Sequence, residues 1–535
     1  MSAQSFIYNP TATTSAATGD GYAVPRTTTA GRLAISFTTV DKGMMVYDTD
    51  LNNLFIWNGS AWESVPASGD SSNQQVIYND GGILVGDNGL LYDKTTQKLT
   101  VGGFINIWKG AIQDNTSTAV GSTALAATAA GATNNTAIGY RAMFRAATAS
   151  GNTAVGVSTL NGLAFTGANN VAVGQAAGDN TSSGSNNVFV GYNAGRLVTT
   201  GGSHVAIGLN ALSGVQPTTS VQCIAIGSGA LYSDGTNPLT GNNNIGIGSD
   251  AGRHLTSGAS NVFIGSSSGY SLAGDITGSD NVGIGRDTFR TLTSGAGNIA
   301  IGPAALNAIA SSSFCVAIGN NALAAYTGAD TVAIGVNALA ANTSGAENVA
   351  IGRSALVSLT TGNYCTAVGF QAATSNTANN ITAVGRRALF GNTTGASNTG
   401  IGMNALFSNI TGSDNTAVGY TALSSNNTNG NTAVGTNCLT NSTAANNTAI
   451  GASAGTTLTT GTSNILIGVN ANTTAAGSSN QLSIGSSGQY VATNGGAAVY
   501  FPNANTGVTL PPAGSTGFIR IILNGSVIKV AVYGD

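Results

Sequence analysis

Charge is what this 535-residue chain has least of. Asp, Glu, Lys and Arg together make up 7% of it, and the only glutamates are Glu63 and Glu347. No lysine occurs between Lys109 and Lys529. Such a composition lacks the Glu, Lys and Leu of a helical protein and the charge or proline of a disordered one. The missing lysines remove any basic stripe for nucleic acid. No apolar run is long enough to cross a membrane as a helix. The first residues, Met1-Ser2-Ala3-Gln4-Ser5, lack a basic segment followed by an apolar one, so synthesis in a cytoplasm without a secretory signal is expected. Proline (9), cysteine (4) and tryptophan (3) are also scarce, whereas glycine numbers 76. With abundant Ala, Asn, Ser and Thr, this suits stacked β-structure with small side chains.

A repeat accounts for the glycine. Asn152-Thr153-Ala154-Val155-Gly156 returns at 135–139, 415–419, 431–435 and 447–451, and in looser form many more times. The closing Val/Ile-Gly pair occurs 22 times, and from Gly121 to Gly485 the 21 steps average about 17 residues. A fixed period of that size predicts a solenoid. With the anchor glycine as position 0, position −1 is always Val or Ile, and −3 is Thr, Val or Ile except at Leu482. This period of two predicts a short strand with one aliphatic face toward a thin core. Large residues gather at +1 and +2, as in Tyr140, Arg141, Tyr192, Arg353, Phe370, Arg386, Arg387 and Tyr420, and are expected to point outward. Ala-Leu at +3 and +4 is expected to return to the core as a second strand. Asn at −4 in 14 copies is expected to stack as an amide ladder. Three buried aliphatics per coil fall well short of the entropy of ordering 17 residues. The repeated Ala therefore predicts a flat second face against which other copies pack, three columns round an axis.

The fold class expected is all-β: an elongated parallel β-solenoid or β-roll, trimeric, flanked by small modules. Residues 1–30 read as an N-terminal docking arm and 31–109 as small β-meander modules. Residues 110–489 form the repeat rod and 490–535 a C-terminal β cap. Within the meander region, strands are predicted at 33–37, 44–47 and 54–57, with a two-residue turn at Asn58-Gly59 into 60–65. Further strands are predicted at 75–78, 83–85, 90–92 and 99–108. In the cap, a hairpin at 518–533 turns at Asn524-Gly525, and 499–501 and 508–510 add strands.

Chemistry-bearing residues are sparse. Cys223, Cys315 and Cys365 share position −4, five and then three coils apart. At about 4.8 Å per coil they stand roughly 24 and 14 Å apart, beyond disulfide reach. With Cys438 they read as small buried thiols. Asp48, Asp50 and Asn52 mimic the start of a calcium loop, but Asn53 replaces its glycine and Gly59 its closing glutamate. A polar hairpin turn is the better reading. His204 replaces a ladder Asn and is expected to act as an amide-like hydrogen-bonding group. His254 stands apart from it. Asp280, Asp330 and Asp414 share one repeat position too widely spaced for a catalytic pair. Asp250 and Asp287, both at +2 and two coils apart, lie about 10 Å apart, near the upper limit for an inverting glycosidase. Solvated acids explain them equally, and no catalytic, cofactor or metal site is assigned. Three wide steps, near 213–222, 232–243 and 270–280, place insertions at one repeat position. They read either as drift in a tolerant loop or as a ligand-contacting ridge carrying Tyr232, Asp234 and Tyr270.

The repeats, with Asn-Thr-Ala-Val-Gly and Asn348-Val349-Ala350-Ile351-Gly352, resemble the head repeats of trimeric autotransporter adhesins. Those form left-handed parallel β-rolls in trimers, from a shorter repeat. The stretch Gly43-Met44-Met45-Val46-Tyr47-Asp48 through Trp57-Asn58-Gly59-Ser60-Ala61-Trp62, and Leu510-Pro511-Pro512 through the terminal hairpin, resemble bacteriophage tail-fibre sequence. The resemblance implies a homotrimeric virion fibre made in a host cytoplasm. Its N-terminal region would join a tail, baseplate or adaptor protein, and its rod would meet a host surface glycan or protein by multivalent attachment. No nucleic acid or membrane partner is implied. A bacterial surface adhesin is the alternative, and a polysaccharide-degrading tailspike is the alternative of a different class.

Overall fold

The computed structural model describes residues 26–34, 44–51, 53–65, 74–80, 83–93, 98–101, 105–108, 116–126, 132–214, 222–233, 237–485, 491–492, 517–523 and 526–532. It divides into two compact units, residues 1–280 and 281–535.

The first unit opens on a four-stranded sheet. β1 (Arg26–Thr27) leads into α1 (Thr29–Leu33) and runs parallel to β2 (Met45–Asp48). β2, β3 (Asn53–Trp57) and β4 (Trp62–Val65) pair antiparallel. The alternation at 33–37 predicts a strand, yet Leu33 closes a helix, and 35–37 lie outside the described residues. The Thr28 hydroxyl accepts from the Gly31 amide at 3.1 Å and starts the turn. Arg32 is drawn inward, its Nε donating to Asp48 Oδ2 at 2.9 Å. A cap and a buried ion pair thus override a short β pattern. The loop between β3 and β4 has four residues, not two. Asn58 Oδ1 accepts from the amides of Ser60 (2.8 Å) and Ala61 (2.7 Å), and Trp57 pairs with Trp62. An Asn carbonyl that supplies its own turn acceptor favours this longer loop.

Next comes an antiparallel meander of β5 (Gln74–Asp80), β6 (Ile83–Asp93), β7 (Lys98–Val101) and β8 (Ile105–Trp108). The stretches at 83–85 and 90–92 merge into one strand, and 99–108 divides into two. β8 pairs antiparallel with β9 (Thr118–Val120), the first coil strand, and so closes the open edge of the stack.

From β9 to β17 (Val262–Ile264) in the first unit, and from β18 (Val282–Ile284) to β30 (Gln481–Ile484) in the second, each coil contributes one strand, nearly all of three residues. Within each unit the strands stack parallel and in register, Thr153 opposite Val171 and Val349 opposite Thr366. β31 (Val491–Ala492) lies antiparallel on β30 and covers its edge. β32 (Gly517–Leu523) and β33 (Ser526–Val532) form the expected hairpin, Leu523 opposite Ser526. The strands predicted at 499–501 and 508–510 lie outside the described residues.

Two expectations about the coil are corrected. The Ala-Leu segment after the glycine is a turn, not a strand. Arg387 and Leu389, at +2 and +4, take φ of 55° and 51°. Their amides still bond across coils, Arg387 N–H to the Phe370 carbonyl (3.0 Å) and Leu389 N–H to that of Ala405 (2.9 Å). Left-handed residues turn successive amides up and down the stack without extended backbone. The strand faces are also reversed. The middle Ala of each strand is fully buried, as at Ala154, Ala350 and Ala417, whereas the flanking Thr, Val or Ile at −3 and −1 point outward. The interior of a common coil holds a methyl at −2 beside Ala at +3 and Leu at +4, with Asn at −4, as with Ala350, Ala355, Leu356 and Asn348.

Steric limits fix the anchor glycine. Gly369 has φ +141°, and a Cβ there would lie 2.5 Å from the carbonyl oxygen of Gly385 in the next coil. Volume inside the coil is conserved by exchange. Where Phe189 or Phe263 replaces the −2 Ala, glycine replaces the +4 Leu, at Gly195 and Gly269. A Cβ on Gly195 would meet the Phe189 ring at 2.3 Å.

The amide ladder forms as expected. Asn152 donates both backbone N–H (3.0 Å) and Nδ2 (3.1 Å) to Asn135 Oδ1, and Asn415 repeats this on Asn398. His204 takes the same place, its N–H donating to Asn187 Oδ1 (2.9 Å) and its Nδ1 accepting from Cys223 N–H (3.2 Å). A second ladder at +7, with no counterpart in the sequence reading, runs through Asn376, Asn392 and Asn409 at 2.6 and 2.8 Å. All four cysteines are buried thiols. Burial pushes the Cys315 and Cys438 thiols up to about 11 and about 12.

Candidate functional site

Each repeat position becomes a column, so a site on this fold is a set of columns. The first set is apolar. Within each unit Val and Ile at −1 stack into an outward row, with Ile401 39%, Ile450 43% and Ile467 38% exposed. Beside it runs the row at −3, with Val171, Ile299 and Ile465 also exposed. The face open to another chain is therefore this β-branched one. The Ala face expected to serve that purpose lies inside the coil. An apolar sheet face of this length on a monomer is a signature of association.

The second set is the predicted ridge. Tyr232 and Tyr270 both stand at +5, and between them, at +5 of the intervening coil, stands Arg253. Its guanidinium carbon lies 5.1 Å from the Tyr232 ring centre and 5.5 Å from that of Tyr270. The result is a tyrosine-arginine-tyrosine stack along the coils, held by cation–π attraction. Arg253 Nη1 also pairs with Asp250 Oδ1 at 3.0 Å, and His254 meets Tyr270 edge-on at 5.7 Å. Asn237 hydrogen-bonds Asp275 close by. Asp234 lies outside the described residues. Arg253 and His254 were missed as partners of the tyrosines, although aligning the repeats on their glycines puts 232, 253 and 270 in one column.

The acids weighed for catalysis are tied to arginines of their own coils. Asp250 is held by Arg253, and Asp287 by Arg286 (2.7 Å) and Arg290 (3.1 Å). Asp280, Asp330 and Asp414 each occupy a left-handed turn at −5, with φ of 60°, 53° and 59°. Among the described residues, no group of three His, Cys, Asp or Glu side chains is placed to hold a metal ion.

In the N-terminal sheet the polar turn expected at Asp48 and Asp50 is present. Asp48 Oδ1 accepts from the amides of Asp50 (3.0 Å) and Leu51 (3.1 Å) and from the Thr29 hydroxyl (2.9 Å). Burial opposes its ionisation. The hydrogen bonds from Arg32, the Leu51 amide, Thr29 and the Asp50 amide outweigh that and bring its pKa down to about 2. The Arg32 guanidinium also lies 3.6 Å over the Phe55 ring. These contacts tie α1, β2 and β3 into one small module.

That module falls in a stretch with a recognisable relative. Residues 7–76 match a family model described as a phage tail-like trimerisation region. No curated protein and no solved structure matches the chain.

Proposed function

We propose that the chain is a structural fibre protein of a phage-like tail, acting as a homotrimer that attaches the particle to a host surface. The match of residues 7–76 to a phage tail-like trimerisation region carries the reading. The outward Val/Ile columns support it, since three chains gathered at one end would each bring an uncovered apolar face beside the others. The N-terminal region joins the particle through a tail, baseplate or adaptor protein. The coil stack, with its repeated outward columns, presents many weak contacts to a host glycan or protein, and three chains multiply them through effective concentration. The reading includes no catalysis, since Asp250 and Asp287 are neutralised by arginines in their own coils.

Sedimentation equilibrium of the purified full chain tests the assembly, with three times 52.6 kDa expected and a monomer mass fatal to it. An antibody against residues 1–30 tests the placement. It should label the tails of intact particles, and unlabelled particles would remove the virion role.

A further inference from the structure

In the second unit, the +1 column over five consecutive coils reads Arg353, Phe370, Arg386, Met403 and Tyr420. We propose that this column is a binding strip for a linear anionic polysaccharide. The proposal rests on the attachment reading above and names the ligand class for it.

The strands of these coils pair in register, so their +1 residues stack at the strand spacing of about 4.8 Å. The two arginines therefore recur about 10 Å apart along a straight line, with an apolar side chain after each. Phe370, Met403 and Tyr420 are exposed. The Arg353 guanidinium lies 5.6 Å from the Phe370 ring centre, and Arg386 Nη1 lies 3.9 Å from Met403 Sδ. Arg387, at +2, donates from Nε to Gln371 Oε1 at 3.0 Å and lies 5.5 Å from the Phe390 ring. These cations rest on apolar and amide surface. The ion pairs among the described residues involve Arg32, Arg253, Arg286 and Arg290.

Charge is also sorted by column. Between Gly319 and Gly468 the charged residues are Arg353, Arg386, Arg387, Asp330, Glu347 and Asp414. All three arginines sit at +1 or +2 and all three acids at −5. The strip is thus uniformly positive while the chain as a whole carries −3.

Guanidinium forks bind carboxylate or sulfate in bidentate fashion, and exposed aromatic faces take the apolar faces of sugar rings. A straight column with a charge at every second coil suits an extended polymer with regularly spaced anions. A second copy of the chain fits poorly, because interface cores are depleted in charge and the adjacent Val/Ile columns offer an uncharged face.

The test is native electrophoresis of the full chain through gels containing polygalacturonate, dextran sulfate or neutral dextran. At least one polyanion should retard the protein, more weakly as salt rises, and dextran should not. The double variant Arg353→Gln/Arg386→Gln should bind about tenfold or more weakly, and Phe370→Ala several-fold more weakly. The strip is wrong if neither polyanion retards the wild-type chain, if dextran retards it equally, or if the double variant keeps full affinity. A change in sedimentation mass in the double variant would make the strip a subunit contact and overturn the proposal. Host cells separate the two readings. Equal adsorption of wild type and double variant sinks the strip and leaves attachment standing. Particles unlabelled by the N-terminal antibody sink the virion role, while polymer retardation that depends on the arginines still upholds the strip.

Discussion

A single carboxylate shows how much a residue decides here. Asp48 is fully buried and ties α1 to the β2–β3 turn through Arg32, Thr29 and two amides. Its folded pKa of about 2 lies below the unfolded value of about 3.9. The ionised form therefore stabilises the N-terminal sheet above about pH 4, and that contribution is lost as pH falls toward about 2. Trp57 and Trp62, packed edge-on with ring centres 5.8 Å apart, report on this module. Their fluorescence should show its melting temperature falling across pH 4 to 2. In Asp48→Asn the melting temperature should be lower at neutral pH and flatter across that window. A variant with the wild-type pH profile would strip Asp48 of this role.

At the scale of one coil, the governing rule is conserved interior volume. Ala at −2 commonly goes with Leu at +4, and Phe189 and Phe263 at −2 go with Gly at +4; where Ala172 or Ala449 goes with Gly178 or Gly455, a bulky residue of the next coil, Phe189 or Leu466, reaches toward the space. Phe189→Ala should leave a cavity beside Gly195 and cost about 3–5 kcal/mol. Gly195→Leu alone should also destabilise, because the ring already fills the space. The double variant restores the common pairing, with leucine in the left-handed backbone that Leu212 and Leu389 adopt. Thermal melts of the four chains form a double-mutant cycle, in which the pair should recover most of the loss. Additive losses would show that the two positions do not share one space. The amide ladders make neighbouring coils depend on each other, since in a run of Asn such as 398, 415, 431 and 447 each rung donates to the one before it.

For the whole molecule, the question is what covers the outward Val/Ile columns. Ile401→Asp and Ile450→Asp place a charge on that face without touching the coil interior. Circular dichroism should stay close to wild type, while the association midpoint measured by sedimentation should weaken by about 100-fold or more, because a carboxylate buried without a partner is costly. Ala417→Asp, at a fully buried position, should instead unfold the stack. An Ile401→Asp/Ile450→Asp chain that associates as tightly as wild type would move the interface to another face.

The anchor glycines by themselves determined the architecture. A corner that brings successive backbones within about a Cβ of each other admits no other residue, so the period was written in the sequence. The Asn column, the outward +1 and +2 residues and the buried cysteines followed from the same register. The direction in which each strand faces was decided only by tertiary structure. Val-Ala-Val reads as aliphatic-in on hydrophobicity, but the middle position faces inward whatever stands there, Ala154 and Phe189 alike, and the β-branched residues at −3 and −1 face out toward a neighbour. The Ala-Leu turn was hidden for a related reason. Its left-handed residues are not glycines, and the bonds to coils above and below hold a backbone that no local preference would predict. The tyrosine-arginine-tyrosine stack needed the third dimension as well, since its members are brought together by coil stacking rather than by proximity along the chain.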